Sequence, residues 1–523
     1  MSSLAVAPGI LFLIGILLYH LFFREKPGIR LPLPPGPDPL PILGNIRDGP
    51  PPGVPDYQHW LSFKDKYGPI SSMTVLGQTA IIIHDKEAIT ELLEKTSLRT
   101  SARPKFKFST MCGFGQYVTL LQYNDQYRLY RKLIHQQIGT KSLASQYADI
   151  QDVESKREAA AMILKLTYGY TIELHQPDPL VKLIEQVMAY FSEATIPLSW
   201  LVDLFPALEH LPDWCPGTGF KRFARECKTI VDASADIPFN FVEKQMEKST
   251  YQPSYTSKLI QVFKNDGKMA KEETAQAIKW TAAVLFAGGS DTTVSTLMAF
   301  VLAMVLNPDV QRKAQEEIDR VIGSHRLPAA GDQDKLPYIN GIVKESLRYF
   351  PITPMGVAHE TDEEITFRGY RIPKGSYILP CVWWYLNDPK TYPEPSRFVP
   401  ERFLAPRNEP DPEDAFGYGR RVCLGRYIAQ ETLFLTISRT LAAFTIGKAM
   451  QGGKPVDVEC KHSTGLLDHP VEFPYSIVPR NEEYAEMIRR VELDHPWEGS
   501  SVEALEGSDI LQRFKEDLQH EAQ

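Results

Sequence analysis

A mainly α-helical fold with small β-sheets, one large domain carried behind an N-terminal transmembrane anchor, is what the 523-residue sequence predicts. Three observations carry this. Leu4 to Phe23 is an almost uninterrupted apolar run of the length a helix needs to cross a bilayer. Most of the chain after it has helical periodicity, with the longest continuous signal from Lys271 to Pro308. Two regions, Ser71–His84 and Glu364–Leu379, carry the β-branched runs and glycine turns of strands.

The anchor occupies residues 1–23. Arg24, Lys26 and Arg30 follow it directly, which places that side in the cytoplasm. A cleaved signal peptide would carry its charge before a shorter apolar core, and nothing basic precedes this span. Residues 24–45 read as a basic and proline-rich hinge. Its stretch Leu31-Pro32-Leu33-Pro34-Pro35-Gly36-Pro37 is stiff and extended, a spacer between membrane and body.

The body spans residues 46–480. Ser71–His84 is a hairpin turning at Leu76-Gly77-Gln78, and Glu364–Leu379 is a second strand region with turns at Arg368-Gly369 and Lys374-Gly375. The Lys271–Pro308 helix is apolar enough to suggest a second span. Its centre, however, reads Gly288-Gly289-Ser290-Asp291-Thr292-Thr293, which hydrocarbon would penalise. A helix apolar all round belongs in a large core. Residues 481–523 are an acidic C-terminal tail with Glu482, Glu483, Glu486, Glu492 and Asp494.

Hydrophobic residues make up 43% of the chain, enough for a sizeable core, and the net charge of −8 argues against general nucleic-acid binding. The six cysteines (112, 215, 227, 381, 423 and 460) are scattered and contain no C-x-x-C pair. That is neither a disulfide framework nor a zinc site, and it suits a reduced, cytosol-facing domain.

One cysteine stands apart. Cys423 lies in Phe416-Gly417-Tyr418-Gly419-Arg420-Arg421-Val422-Cys423-Leu424-Gly425. Glycines let the backbone come close to a flat partner, and adjacent guanidinium groups favour a thiolate and can hold carboxylates. The loop is suited to presenting one anionic sulfur, beside positive charge, to something planar and acidic. A haem with its propionates fits that description.

Three further motifs precede it. Gly288-Gly289 weakens the long helix, and a following threonine hydroxyl can bond back to the i−4 carbonyl. The result is either a groove with an acid and an alcohol beside it or a simple kink. Glu345-Ser346-Leu347-Arg348 puts two opposite charges on one helical face, alone no more than a common exposed pair. Pro400-Glu401-Arg402-Phe403, preceded by Tyr392-Pro393-Glu394-Pro395, suggests a rigid meander aiming Arg402.

In this order and spacing the four motifs resemble the cytochrome P450 family of haem-thiolate monooxygenases, and the resemblance extends over essentially the whole chain, in the style of fungal microsomal members of secondary metabolism. It implies the cytochrome P450 fold and haem b, iron protoporphyrin IX, as cofactor. Cys423 would be the axial thiolate and the metal ligand, favouring O–O cleavage. Arg421 would pair with a propionate, Phe416 would shield the sulfur, and His359 matches a position that bonds a propionate. Asp291 and Thr292 would guide protons to dioxygen, with Gly288 and Gly289 making room. Glu345, Arg348 and Arg402 would form a structural ion triad. Where the family carries Trp-x-x-x-Arg, this chain has Tyr127 and Arg131. Arg131 can keep the ionic contact, and Tyr127 can donate through its hydroxyl.

The sequence contains no flavin or nicotinamide segment, so the resemblance implies NADPH used indirectly, through NADPH–cytochrome P450 reductase, with cytochrome b5 as an optional second donor. Arg420, Arg421 and Arg426, with Arg128 and Lys132, would form the basic docking face. The implied location is the endoplasmic reticulum membrane, single-pass, with the catalytic domain in the cytosol. Substrate-facing segments match Phe106, Phe108, Phe114, Phe286, Ala287, Ile352 and Val357, an apolar and partly aromatic cavity for a terpenoid, polyketide or indole-type metabolite. A haem-thiolate isomerase or peroxygenase needing no reductase is the alternative, and a haem-binding sensor is a non-enzymatic one. Retention of Asp291 and Thr292 argues against the first, and the intact motif set against the second.

Overall fold

The computed structural model describes residues 31–505, apart from 149, 152–158, 174–175, 268–271, 495 and 497, together with 511 and 512. The expected anchor at residues 1–23 and the basic residues Arg24, Lys26 and Arg30 lie outside the described residues.

Helix α1 (Asp56–Tyr67) packs Tyr57, Trp60 and Phe63 against a hairpin of β1 (Ile70–Val75) and β2 (Gln78–Ile83). The hairpin pairs Ile70 with Ile83 and Val75 with Gln78. Its turn residues Leu76 and Gly77 have φ of 50° and 89°, the left-handed conformations a tight hairpin needs. The second strand region divides between two sheets. Strands β3 (His359–Glu360) and β6 (Tyr377–Pro380) extend the hairpin in the order β1-β2-β6-β3, with β6 parallel to β2. Strands β4 (Ile365–Phe367) and β5 (Tyr370–Ile372) form a separate hairpin.

The proline segment is extended, but from Pro32, whose carbonyl accepts from the Arg371 amide (2.8 Å), it is not a free spacer. Pro34 and Pro35 offer their carbonyls to the Ser72 hydroxyl (2.6 Å) and the Ser72 amide (2.8 Å), laying the segment along β1. A Cβ on Gly36 would stand 1.9 Å from the Ser72 carbonyl oxygen, so this approach requires glycine. Proline lacks a donor but keeps its acceptor, and an edge strand with free amides uses it.

The helical part is built around one axis. Helices α2 (Asp125–Ile138), α3 (Ala159–Tyr168), α4 (Pro179–Ala194) and α5 (Gly219–Glu247) surround α6 (Glu272–Leu306), and α7 (Pro337–Tyr349) and α8 (Arg426–Ala443) pack on its C-terminal half. Helix α6 is long and apolar enough to span a membrane by composition. It is instead the core helix, with Ile278, Phe286, Ala299 and Leu302 buried on different sides. Neighbours all round explain its lack of a polar face.

The acidic tail is laid on the body. Helix α9 (Glu482–Asp494) packs against α8, Tyr484 is buried, and Arg480 forks onto Asp319 at 2.6 and 2.8 Å. Further on, the Ser501 amide donates to the Thr171 carbonyl (2.9 Å), and Leu505 and Leu511 are buried.

Candidate active site

A cavity of about 370 Å³ lies between α6, α8, the sheet and the cysteine loop. Helix α6 presents Leu285, Gly288, Gly289, Thr292 and Thr296 to it, a stripe at helical spacing. The Thr292 hydroxyl donates to the Gly288 carbonyl at 2.5 Å, the back-bond expected from the motif. The two glycines serve different ends. A Cβ on Gly288 would meet nothing within 4 Å, whereas one on Gly289 would strike Ile163 of α3 at 2.6 Å.

The facing wall is the cysteine loop. Gly417 and Gly419 take positive φ (76° and 52°), and the Cys423 amide donates to the Phe416 carbonyl at 2.8 Å, closing the loop. Only glycine fits at 419, where a Cβ would lie 2.2 Å from the Leu93 carbonyl oxygen. The accessible surface of Cys423 opens into the cavity, while protein atoms around it shut out bulk water. That burial pushes its thiol pKa up, against the pull of the Gly425 amide and the charges of Arg131 and Arg426.

One edge of the cavity is strongly cationic. Arg103 donates to the carbonyls of Thr119 (2.9 Å), Val357 (2.6 Å) and Ala358 (2.7 Å). Arg421 donates to those of Ser101 (2.7 and 2.8 Å) and Leu121 (2.8 Å), and Arg131 to that of Val422 (3.0 Å). Among the described residues no carboxylate lies within ion-pair reach of these three guanidinium groups. Burial lowers the Arg421 pKa to about 10 and pulls Arg103 well below its ordinary value. His359 is buried beside them, its Nδ1 at 2.8 Å from the Thr100 carbonyl, and burial followed by the Arg103 charge depresses its pKa. The Tyr127 hydroxyl is given to the Arg420 carbonyl (2.6 Å), and its ring lies under Arg421 at 3.9 Å. Tyr127 thus holds the arginine in place and has no hydroxyl proton left to donate into the cavity.

Asp291 does not line the cavity. It sits around the helix from Thr292, its Oδ2 without a hydrogen bond but 3.5 Å from His469 Nε2. Burial, then the nearby Glu185, raises its pKa, while His469 pulls it down.

Residues 34–158 and 155–476 match the family model for cytochrome P450. The chain is also 47% identical to cytochrome P450 monooxygenase CLM2 of Gibberella zeae, over 95% of this chain and 98% of that one. It is 44% identical to multifunctional cytochrome P450 monooxygenase af510 of Aspergillus fumigatus (94% and 96%), and 35% identical to O-methylsterigmatocystin oxidoreductase of Aspergillus flavus (94% and 96%). The chain is a cytochrome P450 monooxygenase.

The cytochrome P450 family uses haem, and the cavity suits it. One sulfur faces the interior on one side. Arg103 and Arg421, both buried, and the half-buried Arg131 line one edge, with no carboxylate beside them among the described residues, and call for a ligand with more than one negative charge. Haem, flat and carrying two propionates, meets both demands. Bound there, it supplies the redox centre at which dioxygen is activated.

Glu345, Arg348 and Arg402 stand outside the cavity, all three fully buried. Arg348 forks onto Glu345 at 2.7 and 2.8 Å, and Arg402 Nε reaches the same carboxylate at 3.2 Å. Arg348 also bonds the carbonyls of Leu386 and Arg397, and Arg402 those of Pro393 and Glu394, so the three pin the 386–402 meander to α7.

Of the expected apolar lining, Ala287, Ile352 and Val357 face the cavity, as does Phe416. Phe106, Phe108, Phe114 and Phe286 do not. Phe106 packs edge-on against Tyr377, Phe108 stacks on Trp200, Phe114 meets Tyr117 and Phe191, and Phe286 points at Tyr168 of α3. The aromatic lining comes instead from Tyr117 and Phe191, joined by Met188, Leu466 and Leu467. Arg103 and Tyr117 belong to the substrate-facing loop Arg103 to Leu121 that the resemblance implies, whereas the sequence surroundings of Met188, Phe191, Leu466 and Leu467 give no local sign of this.

Proposed function

We propose that this cytochrome P450 is a membrane-anchored enzyme that inserts one oxygen atom of dioxygen into an apolar small molecule of terpenoid, polyketide or indole type, with electrons passed from NADPH through a reductase. The observation that carries this is the cavity itself. Cys423 faces one side, three arginines line one edge, and most of the remaining wall is apolar and aromatic, with Thr292 the alcohol on α6. Such a cavity binds by exclusion of water and leaves orientation to few polar groups.

In this reading Cys423 is the iron ligand, and metal binding overrides the burial that keeps its thiol protonated. Arg103, Arg131, Arg421 and His359 hold the propionates. Donation by His359 requires a proton on Nε2, since Nδ1 faces the Thr100 carbonyl. Thr292 and Asp291 hold and pass protons, Thr292 at the cavity wall and Asp291 behind it. Glu345, Arg348 and Arg402 keep the cysteine side of the body rigid.

Electron delivery would use the concave surface behind the cysteine loop, which carries Arg128, Arg131, Lys132, His135 and Arg420 and suits an acidic partner such as the reductase or cytochrome b5. Attachment to the endoplasmic reticulum would rest on the N-terminal span, helped by the exposed Leu201, Phe205, Leu211 and Trp214, the last with 82% of its surface exposed. The names of the relatives, one an O-methylsterigmatocystin oxidoreductase, support a secondary metabolite as substrate.

The test is spectroscopic, then chemical. Reduced protein with carbon monoxide should give the red-shifted Soret band of thiolate ligation, lost in Cys423→Ala. Terpenoid, polyketide and indole metabolites are then screened for a spin-state shift, and products are identified with NADPH and reductase. Product formation with peroxide but never with reductase would overturn the electron route.

A further inference from the structure

Behind the acid of α6 the structure builds a contact that the P450 reaction, as described so far, does not use. The loop 462–469 returns across α6 and sets His469 against it. His469 Nε2 stands 3.5 Å from Asp291 Oδ2, and Nδ1 is hydrogen-bonded to the hydroxyl of Ser295, one turn along. Asp291 keeps only 18% of its side chain exposed, whereas His469 keeps 39%. The imidazole therefore stands between a nearly enclosed carboxyl group and water.

The loop that carries it is fixed from several sides. The His469 amide donates to the Ser463 hydroxyl (2.8 Å), the Ser463 amide to Asp468 (3.0 Å), and the Asp468 amide to the Ile352 carbonyl (2.8 Å). Asp468 is itself bound by His462 at 2.6 Å. So the ring is held at Nδ1 and through its backbone, with Nε2 turned to the Asp291 carboxyl group. Among the described residues Asp291 Oδ2 has no hydrogen-bond partner, and the His469 ring is the cationic group facing it at close range. The other charged group bearing on it, Glu185 of α4, is an acid and cannot supply a proton as a cation.

We infer that His469 is a positioning and proton-feeding residue, carrying protons from solvent to Asp291, with Ser295 fixing the ring. Nε2 takes a proton from water to give the imidazolium, whose Nδ1–H stays on the Ser295 oxygen. The Nε2 proton then passes to Oδ2, leaving a neutral ring and a carboxylic acid; one proton moves and no electrons do. Imidazole is the side chain suited to this traffic near neutral pH. This rests on the reading of Asp291 as the proton-holding acid of an oxygen-activating P450.

The experiment uses haem-loaded enzyme, purified reductase, NADPH and dioxygen, with no organic substrate, in H2O and in D2O. His469→Gln keeps polar contacts but cannot carry charge. It should slow NADPH oxidation about a hundredfold, the low end for a placed acid or base, and raise the solvent isotope effect, while the carbon monoxide band stays that of wild type. Asp291→Asn should be slow, and adding His469→Gln to it should slow it no further, because residues acting in series are not additive. A single variant with rate and isotope effect within about twofold of wild type, or a double variant slowed by the product of the two effects, overturns the inference. If His469→Gln fails to hold haem, Ser295→Ala decides by the same two readouts. A wild-type protein that lacks the carbon monoxide band or reductase-driven oxidation would instead refute the underlying function.

Discussion

Arg103 offers the sharpest check on the proposed haem site. It is 4% exposed, and its guanidinium group donates to three carbonyls at 2.6–2.9 Å with no carboxylate beside it. Those carbonyls belong to two different segments, Thr119 on one and Val357 and Ala358 on the other, so the side chain both ties the cavity edge together and charges it. Replacing it by leucine removes a charge-assisted contact to a propionate, worth about 1.5–3 kcal/mol. At 1.4 kcal/mol per decade that is a loss of roughly 10- to 150-fold in haem affinity.

The same change strips three buried carbonyls of their partner, at about 1–3 kcal/mol for each left dry. Arg103→Lys separates the two effects. A lysine keeps the charge but loses the fork, so it should keep most of the haem affinity while still lowering the unfolding midpoint of the apoprotein. The assay is the rate of haem transfer to excess apo-globin, alongside urea unfolding of the apoprotein. If Arg103→Leu releases haem no faster than wild type while Arg421→Leu does, Arg103 is purely structural. The account of the cationic edge as a propionate site would then be wrong by one residue of three.

Three other outcomes are expected. Glu345→Gln leaves Arg348 without its fully buried anion and Arg402 with Glu409 (3.3 Å) alone, and should cost about 3–5 kcal/mol in urea unfolding; an unchanged midpoint would mean Glu409 and the neighbouring carbonyls already suffice. Burial raises the Asp291 pKa, so the folded protein binds its proton more tightly than the unfolded chain and loses stability as pH rises above the ordinary carboxylate range. Asp291→Asn should therefore gain in melting temperature over wild type as pH rises out of the ordinary carboxylate range, even as turnover falls; a gap that shrinks with rising pH would contradict this. For His462, burial opposes the charge, but the hydrogen bonds to Asp468 and Cys460 outweigh it and push its pKa up from 6.5 to about 9. Its stabilising contribution is complete below 6.5 and fades as pH rises through about 9, so thermal unfolding of wild type should drop across that window and His462→Gln should show a flatter profile.

The sequence made some of this legible and hid the rest for identifiable reasons. The cysteine loop could be read because its residues act within one short segment: glycines for backbone conformation, arginines for charge, sulfur for the ligand. The long helix could be read because its length and lack of a polar face admit few environments. Leu466, Leu467 and His469 could not, since each reaches its place through contacts with segments far away in the chain. Phe286 is a different case, and the information was there. On a helix of 3.6 residues per turn, Gly288 and Thr292 define a face that also contains Leu285 and Thr296, and Phe286 is turned well away from that face. Aromatic character near a motif suggested a cavity wall, but direction around the helix decides which side chain forms it. Asp291 is absent from the cavity lining and Ser295 lies one turn along from it, so the loop crossing α6 there touches the acid and its turn-mate, through the imidazole of His469.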